Sequence, residues 1–309
     1  MKSRKENRKI GDRLRHLIKQ NDEISQNAAL HIISQHGGSF DVINAQGALH
    51  LWSPIFWSVW RRNHDISHAL MRAPALDVNY RDVYGYSILM HAMVEKVDHE
   101  LIQNLLGRDD IDVTFKTYTT RDTLSFFKPP RLTPLKRGFN ALLLATMHKE
   151  LFQYIPQILD KMDQGINDYA THLVLRSSNN DLRRTVNEHG SAVDHFIYKH
   201  VSPLTNLVEK LKNCNHSERA FLLSIIERIA TSPHLNANKK IKIQPKDESL
   251  LIAAQSGDRQ LTEILLAAGA NTSLTDSENY TAVDLAKYSG HPEVEEMIAG
   301  YRSQAFSIR

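Results

Sequence analysis

Cysteine occurs once in the 309 residues, at Cys214, so no internal disulfide can staple the chain. That usage fits a reducing compartment, and the fold has to be held by packing. No apolar run approaches the roughly 18–20 residues that a membrane-spanning helix needs. The opening MKSRKENRKIGDRLRHLIK is basic, with no apolar stretch behind it, unlike a secretory leader. Neither a P-loop nor a G-x-G-x-x-G is present, which removes the phosphate-cradling loops as a route to function. Glycine is scarce, 13 residues in all, so the places where it interrupts an apolar run are informative.

Hydrophobic residues at 41% and charged residues at 24% are ordinary for a folded domain, and the length can bury a large core. The net charge of +3 is unevenly placed: residues 1–19 hold eight Lys/Arg against Glu6 and Asp12, a local +6, leaving −3 for the other 290. A basic arm can attract phosphates, anionic lipid or an acidic protein, or can be the solvated face of an amphipathic first helix.

The glycine breaks recur. ESLLIAAQSGD (248–258) superposes on TAVDLAKYSGH (281–291), with Glu248 on Thr281, Ala253 on Ala286 and Gly257 on Gly290, always 33 residues apart. Thr281 can cap a helix through its hydroxyl, and Pro292 suits a first helical turn where no N–H is needed. Gly257, Gly269 and Gly290 stand where helices end. Small Ala253, Ala254 and Ala286 allow close helix approach, and Leu250, Ile264, Leu265 and Leu266 form a buried stripe.

These positions resemble the ankyrin repeat, with its T-P-L-H-x-A helix start, the G-H between two helices and the G-A that leads to the next hairpin. Toward the amino terminus the same resemblance covers LDVNYRDVYGYSILMHAM (76–93), with Asp82, Gly85 and Ser87 at the turn and Leu89 and Ala92 on the buried face. Ser53-Pro54 begins a unit 34 residues before Ser87, whereas Asn140 begins one 53 residues after it. About 20 residues are therefore inserted at 117–137, where Pro129-Pro130 forbids a continuing helix and predicts an exposed hairpin or loop.

Residues 166–247 read as a divergent helical segment: a faint repeat start at Ser191, Ala192 and Asp194, helical spacing over 203–213 and 217–230, then a polar connector at 236–248. The expected fold is all-α, an ankyrin-type helical solenoid with irregular units and short β-hairpin connections. Its parts are a basic arm and helical cap (1–36), repeats with the insertion (37–165), the divergent segment (166–247) and carboxy-terminal repeats (248–309).

Ankyrin arrays bind proteins through hairpin tips and first helices lining a concave groove, so the resemblance implies a non-enzymatic, monomeric scaffold for a protein partner, with no cofactor and no metal. The candidate contact residues are Trp57, Tyr80, Tyr84, Tyr86, His91, Phe126, Phe127, Glu278 and Tyr280. Tyrosine offers large contact area at low entropic cost. Phe126 and Phe127 fall in the insertion, with no framework role, and need a partner or a fold-back. Trp57 and His91 occupy equivalent places in adjoining units; Phe56, Trp57 and Trp60 at helical spacing also fit a core.

Two other functional classes have candidate residues. Cys214-Asn-His216 and the group Asp194, His195, His189 and His200 could be read as reactive centres, but no local signature surrounds the cysteine and an i, i+5 histidine pair is not a helical zinc pair. Nucleic-acid binding would use the basic arm with Lys239, Lys240, Lys242 and Lys246, without any accompanying signature. Divergent units with long insertions resemble the ankyrin-repeat effectors of intracellular Gram-negative bacteria. That resemblance implies cytoplasmic action, with export into a host cytosol without a cleavable leader, on a host protein.

Overall fold

The computed structural model describes residues 3–48, 51–94, 98–117, 136–162, 170–175, 196–232 and 248–307. The first helices are α1 (Arg4–Gln20), α2 (Glu23–His36), α3 (Phe40–Ile43), α4 (Pro54–Arg61), α5 (His64–Met71), α6 (Ile88–Val94) and α7 (His99–Leu106). Strand β1 (Lys136–Arg137), α8 (Ala141–Met147), a 3-10 turn (Lys149–Tyr154) and α9 (Ile155–Asp160) follow. Next come β2 (Ala170–Leu175), β3 (Phe196–Val201), α10 (Pro203–Leu211) and α11 (His216–Thr231). The chain closes with α12 (Ser249–Ser256), α13 (Arg259–Ala267), α14 (Ala282–Tyr288) and α15 (Pro292–Ser307). They form two compact units: unit 1 is Met1–Leu132 with Met147–Lys161, and unit 2 is Thr133–Thr146 with Met162–Arg309. No helix among the described residues is long and apolar enough to cross a membrane.

Unit 1 starts with a capping box, in which the Ser3 hydroxyl accepts from the Glu6 N–H and the Glu6 carboxylate accepts from the Ser3 N–H. Helix α1 packs on α2, α3 and α4. Thereafter the elements pair as first and second helices: α4 lies against α6, and α5 against both α2 and α7. Each second helix begins on a side-chain cap, Asn63 accepting from the Ile66 N–H at 3.1 Å and Asp98 from the Leu101 N–H at 3.0 Å. Between the two layers Ile55, Phe56, Ile66, Leu70, Leu89, Leu101 and Leu105 are buried. Each such aliphatic side chain contributes about 1.5–3 kcal/mol by leaving water.

Unit 2 repeats the plan. Helix α12 packs on α10 and α14, and α13 on α11 and α15. Thr281 caps α14 in a capping box with Asp284, and Pro292 opens α15, as the sequence predicts. The start of the α10–α11 pair is Ser202-Pro203-Leu204, where the Ser202 hydroxyl accepts from the Thr205 N–H at 3.1 Å. The faint start read at Ser191, Ala192 and Asp194 lies outside the described residues.

Within 166–247 the helices read at 203–213 and 217–230 are present as α10 and α11, and the helical reading is corrected at 170–175 and 196–201, which are strands β2 and β3. Strands β1, β2 and β3 form an antiparallel sheet in that order, with Thr171 opposite His200 and Lys136 opposite His172. The runs THLVL and FIYKHV are rich in β-branched and aromatic residues, which favour a pleated surface over a helix. The end of the inserted stretch, Lys136–Arg137, supplies the third strand; residues 118–135 lie outside the described residues.

Gly257 ends α12 in the left-handed region at φ 68°, and an added Cβ would stand 2.5 Å from Nδ1 of His291. Gly257→Ala therefore has to strain the backbone and displace the imidazole that follows α14. We expect a loss of about 2 kcal/mol in unit 2, read by urea denaturation monitored by circular dichroism. A midpoint unchanged from wild type would refute this packing of His291.

Candidate partner-binding surfaces

The hairpin tips of the two units are built on one plan. In unit 1 the Asp82 Oδ1 accepts from the Tyr84 and Tyr86 N–H groups, both at 2.9 Å, and the Asp82 N–H donates to the Tyr86 carbonyl at 3.0 Å. Gly85 takes φ 83°, and Arg81 bridges Ser87. In unit 2 the Asp276 Oδ1 accepts from the Glu278 and Tyr280 N–H groups at 2.9 Å, its N–H donates to the Tyr280 carbonyl, and Thr275 bridges Thr281. Asn279 replaces the glycine at φ 67°. Asparagine tolerates that region because its short polar side chain is compatible with left-handed turns.

What surrounds the two tips differs. Asp82 is wholly buried; its Oδ2 lies 3.1 Å from His91 Nε2 and accepts from the Trp52 indole N–H at 3.4 Å. The His91 ring sits edge-on to Trp52, Phe56 and Tyr86, with centroids 5.0–5.5 Å apart. His91 is 1% exposed and Tyr86 is buried, so neither can touch a partner, and the expectation that they line a surface is corrected. The cause is the aromatic cage around Asp82. Burial, and secondarily the Asp82 charge, pushes the Tyr86 hydroxyl far above the usual phenol range.

Trp57 stays half-buried, packed edge-on against Trp52 at 4.9 Å with the Lys19 ammonium 4.2 Å from its ring centroid. Burial, then Arg15 and Arg61, holds the Lys19 pKa below the usual lysine range. The structure thus brings Trp57 and His91 to a shared neighbour, Trp52, inside the unit and not on an open face. Tyr84 is half-buried at the tip, its hydroxyl pKa raised first by burial and then by Asp82. Tyr80 lies beside the exposed Phe40, ring centroids 6.1 Å apart.

In unit 2, Glu278 and Tyr280 are open to solvent. Tyr280 is 43% exposed and its ring stacks on Tyr288, 86% exposed, at 6.4 Å and 26°. Two adjacent phenol rings thus stand open to solvent, Tyr280 on the pinned turn and Tyr288 at the end of α14. Phe126 and Phe127 lie outside the described residues, as do Lys239, Lys240, Lys242, Lys246, His189, Asp194 and His195. Cys214 donates through its thiol to the Leu211 carbonyl at 3.2 Å, which ties it to the end of α10.

Sequence reasoning missed Tyr288 and Phe40, and also a pair of asparagines that join successive hairpins. Asn44 donates to the Ala75 carbonyl at 2.6 Å and accepts from the Asp77 N–H at 2.9 Å. Asn79 donates to the Asp110 carbonyl at 2.6 Å and accepts from the Asp112 N–H at 2.8 Å. The constant offset of 35 residues between Asn44 and Asn79, and between Asp77 and Asp112, was the available signal.

No family model matches the chain. A stretch of 74 residues, 24% of the chain, is 38% identical to the protein LHCP TRANSLOCATION DEFECT of Arabidopsis thaliana, and the match spans 41% of that protein. Among solved structures, the chain is similar to the ankyrin repeat domain of Bcl-3, a member of the IkappaB protein family. The identity is 17%, with 93% of this chain and 97% of that chain covered and a TM-score of 0.47. It is also similar, at 13% identity and a TM-score of 0.40, to a chain from the complex of a Bdellovibrio bacteriovorus predatory endopeptidase with an immunity protein, over 80% of this chain and 96% of that one. Paired helices with left-handed ends, joined by aspartate-pinned hairpins and repeating at 33–35 residues, make this fold one of the ankyrin-repeat type.

Proposed function

We propose that the protein is a non-catalytic scaffold that binds a protein partner through its hairpin tips. The observation that carries this is the solvent-exposed Tyr280–Tyr288 stack, in which Tyr280 stands on a turn already fixed by Asp276 and Tyr288 ends α14. A pre-ordered turn keeps low the conformational entropy lost on binding, and the tyrosine faces supply apolar contact while their hydroxyls stay available for hydrogen bonds. Glu278 at the same tip adds a charge that favours a basic or hydrogen-bond-donating patch on the partner.

The finer reading is a bacterial effector acting on a host protein, supported by the irregular, insertion-bearing units. The test is capture from eukaryotic lysate with immobilised full-length protein, comparing wild type with the double variant Tyr280→Ala, Tyr288→Ala. Both positions are exposed, so folding should be retained, as circular dichroism would check. The expected result is a discrete captured protein whose recovery falls at least about tenfold in the variant. Equal recovery by both would overturn the assignment of this tip, and capture of no eukaryotic protein would overturn the host reading.

A further inference from the structure

The exposed face of α1 and the loops beside it form an open cleft of about 660 Å³ within unit 1, lined by Arg4, Lys5, Arg8, Phe40, Asp41 and Tyr80 among others. Resting on the scaffold reading, we propose that this cleft docks an acidic peptide segment of the partner that carries one aromatic anchor.

The cations come from the helical repeat. Buried Gly11, Leu14 and Ile18 fix which side of α1 faces the unit, and Arg4, Lys5, Arg8, Lys9 and Arg13 are left exposed. Arg4 Nε lies 3.5 Å from Asp41, and Asp12 is taken by Arg15. Lys5, Arg8, Lys9 and Arg13 have no ion-pair partner among the described residues, so the helix presents four uncompensated charges along the cleft and beyond it.

The anchor seat is the aromatic pair. Phe40, the first residue of α3, is 51% exposed, with its ring tilted 46° against Tyr80. A phenylalanine held half in water next to a tyrosine supplies an edge and a face for a third ring. Burial, then Asp77 and Asp41, raises the Tyr80 pKa, and its phenol hydroxyl offers a hydrogen bond beside the ring pair.

The carboxylates on the cleft wall, Asp12 paired with Arg15 and Asp41 beside Arg4, select between polyanions. Asp41, 3.5 Å from Arg4 and lining the cleft with Tyr80, repels a phosphodiester backbone, which has no donor to offer it. A peptide supplies backbone N–H donors for Asp41 together with carboxylates for Lys5 and Arg8, and so satisfies both signs.

The experiment is fluorescence anisotropy of a fluorescein-labelled twelve-residue peptide of glutamate and aspartate around one central tryptophan, titrated with full-length protein at low salt. Saturable binding is expected. It should weaken about tenfold in Lys5→Glu, Arg8→Glu, and at least about threefold in Phe40→Ser or when the peptide tryptophan is alanine. Circular dichroism melting confirms that each variant folds. Absence of saturable binding overturns the inference, as does insensitivity to Phe40→Ser, or binding of duplex DNA or phosphatidylserine vesicles at least tenfold tighter than the peptide. Capture through Tyr280 and Tyr288 is read on the other unit. Failed titration with intact capture removes this inference alone, while intact titration with failed capture removes only the hairpin assignment.

Discussion

Asp82→Ala should lower the unfolding free energy of unit 1 by about 3–5 kcal/mol, because it strips one buried carboxylate from two backbone N–H groups, an indole and an imidazole at once. The Tyr84 and Tyr86 N–H groups lose the acceptor that shapes the tip, and buried His91 loses the carboxylate 3.1 Å from its Nε2. Trp52, Trp57 and Trp60 are the three tryptophans of the chain, and all belong to unit 1, so a urea titration followed by tryptophan fluorescence reads this unit. Asp276→Ala is the internal control, followed by circular dichroism because unit 2 contains no tryptophan. It removes the same pair of backbone acceptor contacts at the exposed tip of unit 2, where water can replace them, and should cost about 1 kcal/mol. Equal losses at the two positions would show that burial around Asp82 is not what gives it weight.

The second large effect belongs to Asn44. Asn44→Ala leaves the Ala75 carbonyl and the Asp77 N–H without their partner at a buried position, and should destabilise unit 1 by about 2–4 kcal/mol. Asn44→Asp separates the two contacts: a carboxylate still accepts from the Asp77 N–H but faces the Ala75 carbonyl with a second oxygen. It should be as damaging as alanine at neutral pH and partly recover when acid protonates the introduced carboxyl, which then donates to Ala75. Denaturation midpoints at pH 7 and pH 4, each referred to wild type at the same pH, check this. A variant with no relative recovery in acid would argue that shape, and not the donor, is what Asn44 supplies.

Much of the fold was legible because its signals are local. A capping hydroxyl at Thr281, a proline at 292 and left-handed glycines at 257, 269 and 290 each act within one turn of chain, and the structure places them as read. The sheet was not legible by the same route. The runs at 170–175 and 196–201 favour strands locally, but their pairing joins residues far apart in sequence, which a helical repeat period does not reveal. Ser202-Pro203 carries the same local start signal as Ser53-Pro54, a hydroxyl before a first-turn proline.

The candidate site shows a different limit. Tyr86 and Tyr280 occupy the same place in two hairpins with the same hydrogen bonds, yet one is buried and the other open. The difference comes from Trp52, Phe56 and His91, contributed by neighbouring helices and loops, and position in a repeat does not encode who packs against it. Phe40 and Tyr288 were missed for the complementary reason: neither stands at a hairpin tip, and only tertiary placement pairs them with Tyr80 and Tyr280.

The asparagine series has a third position, 35 residues beyond Asn79, and it is Thr114. Its hydroxyl turns back to Asp112 at 2.6 Å in its own hairpin, where the asparagines before it reach forward to the next. A reach-forward residue dictates how many amino acids must lie between neighbours, as a rivet dictates the pitch of two plates. With the last rivet replaced by an inward tie, chain length after residue 117 is released from that pitch, and it is there that the sequence runs 53 residues from Ser87 to Asn140 where the preceding step takes 34.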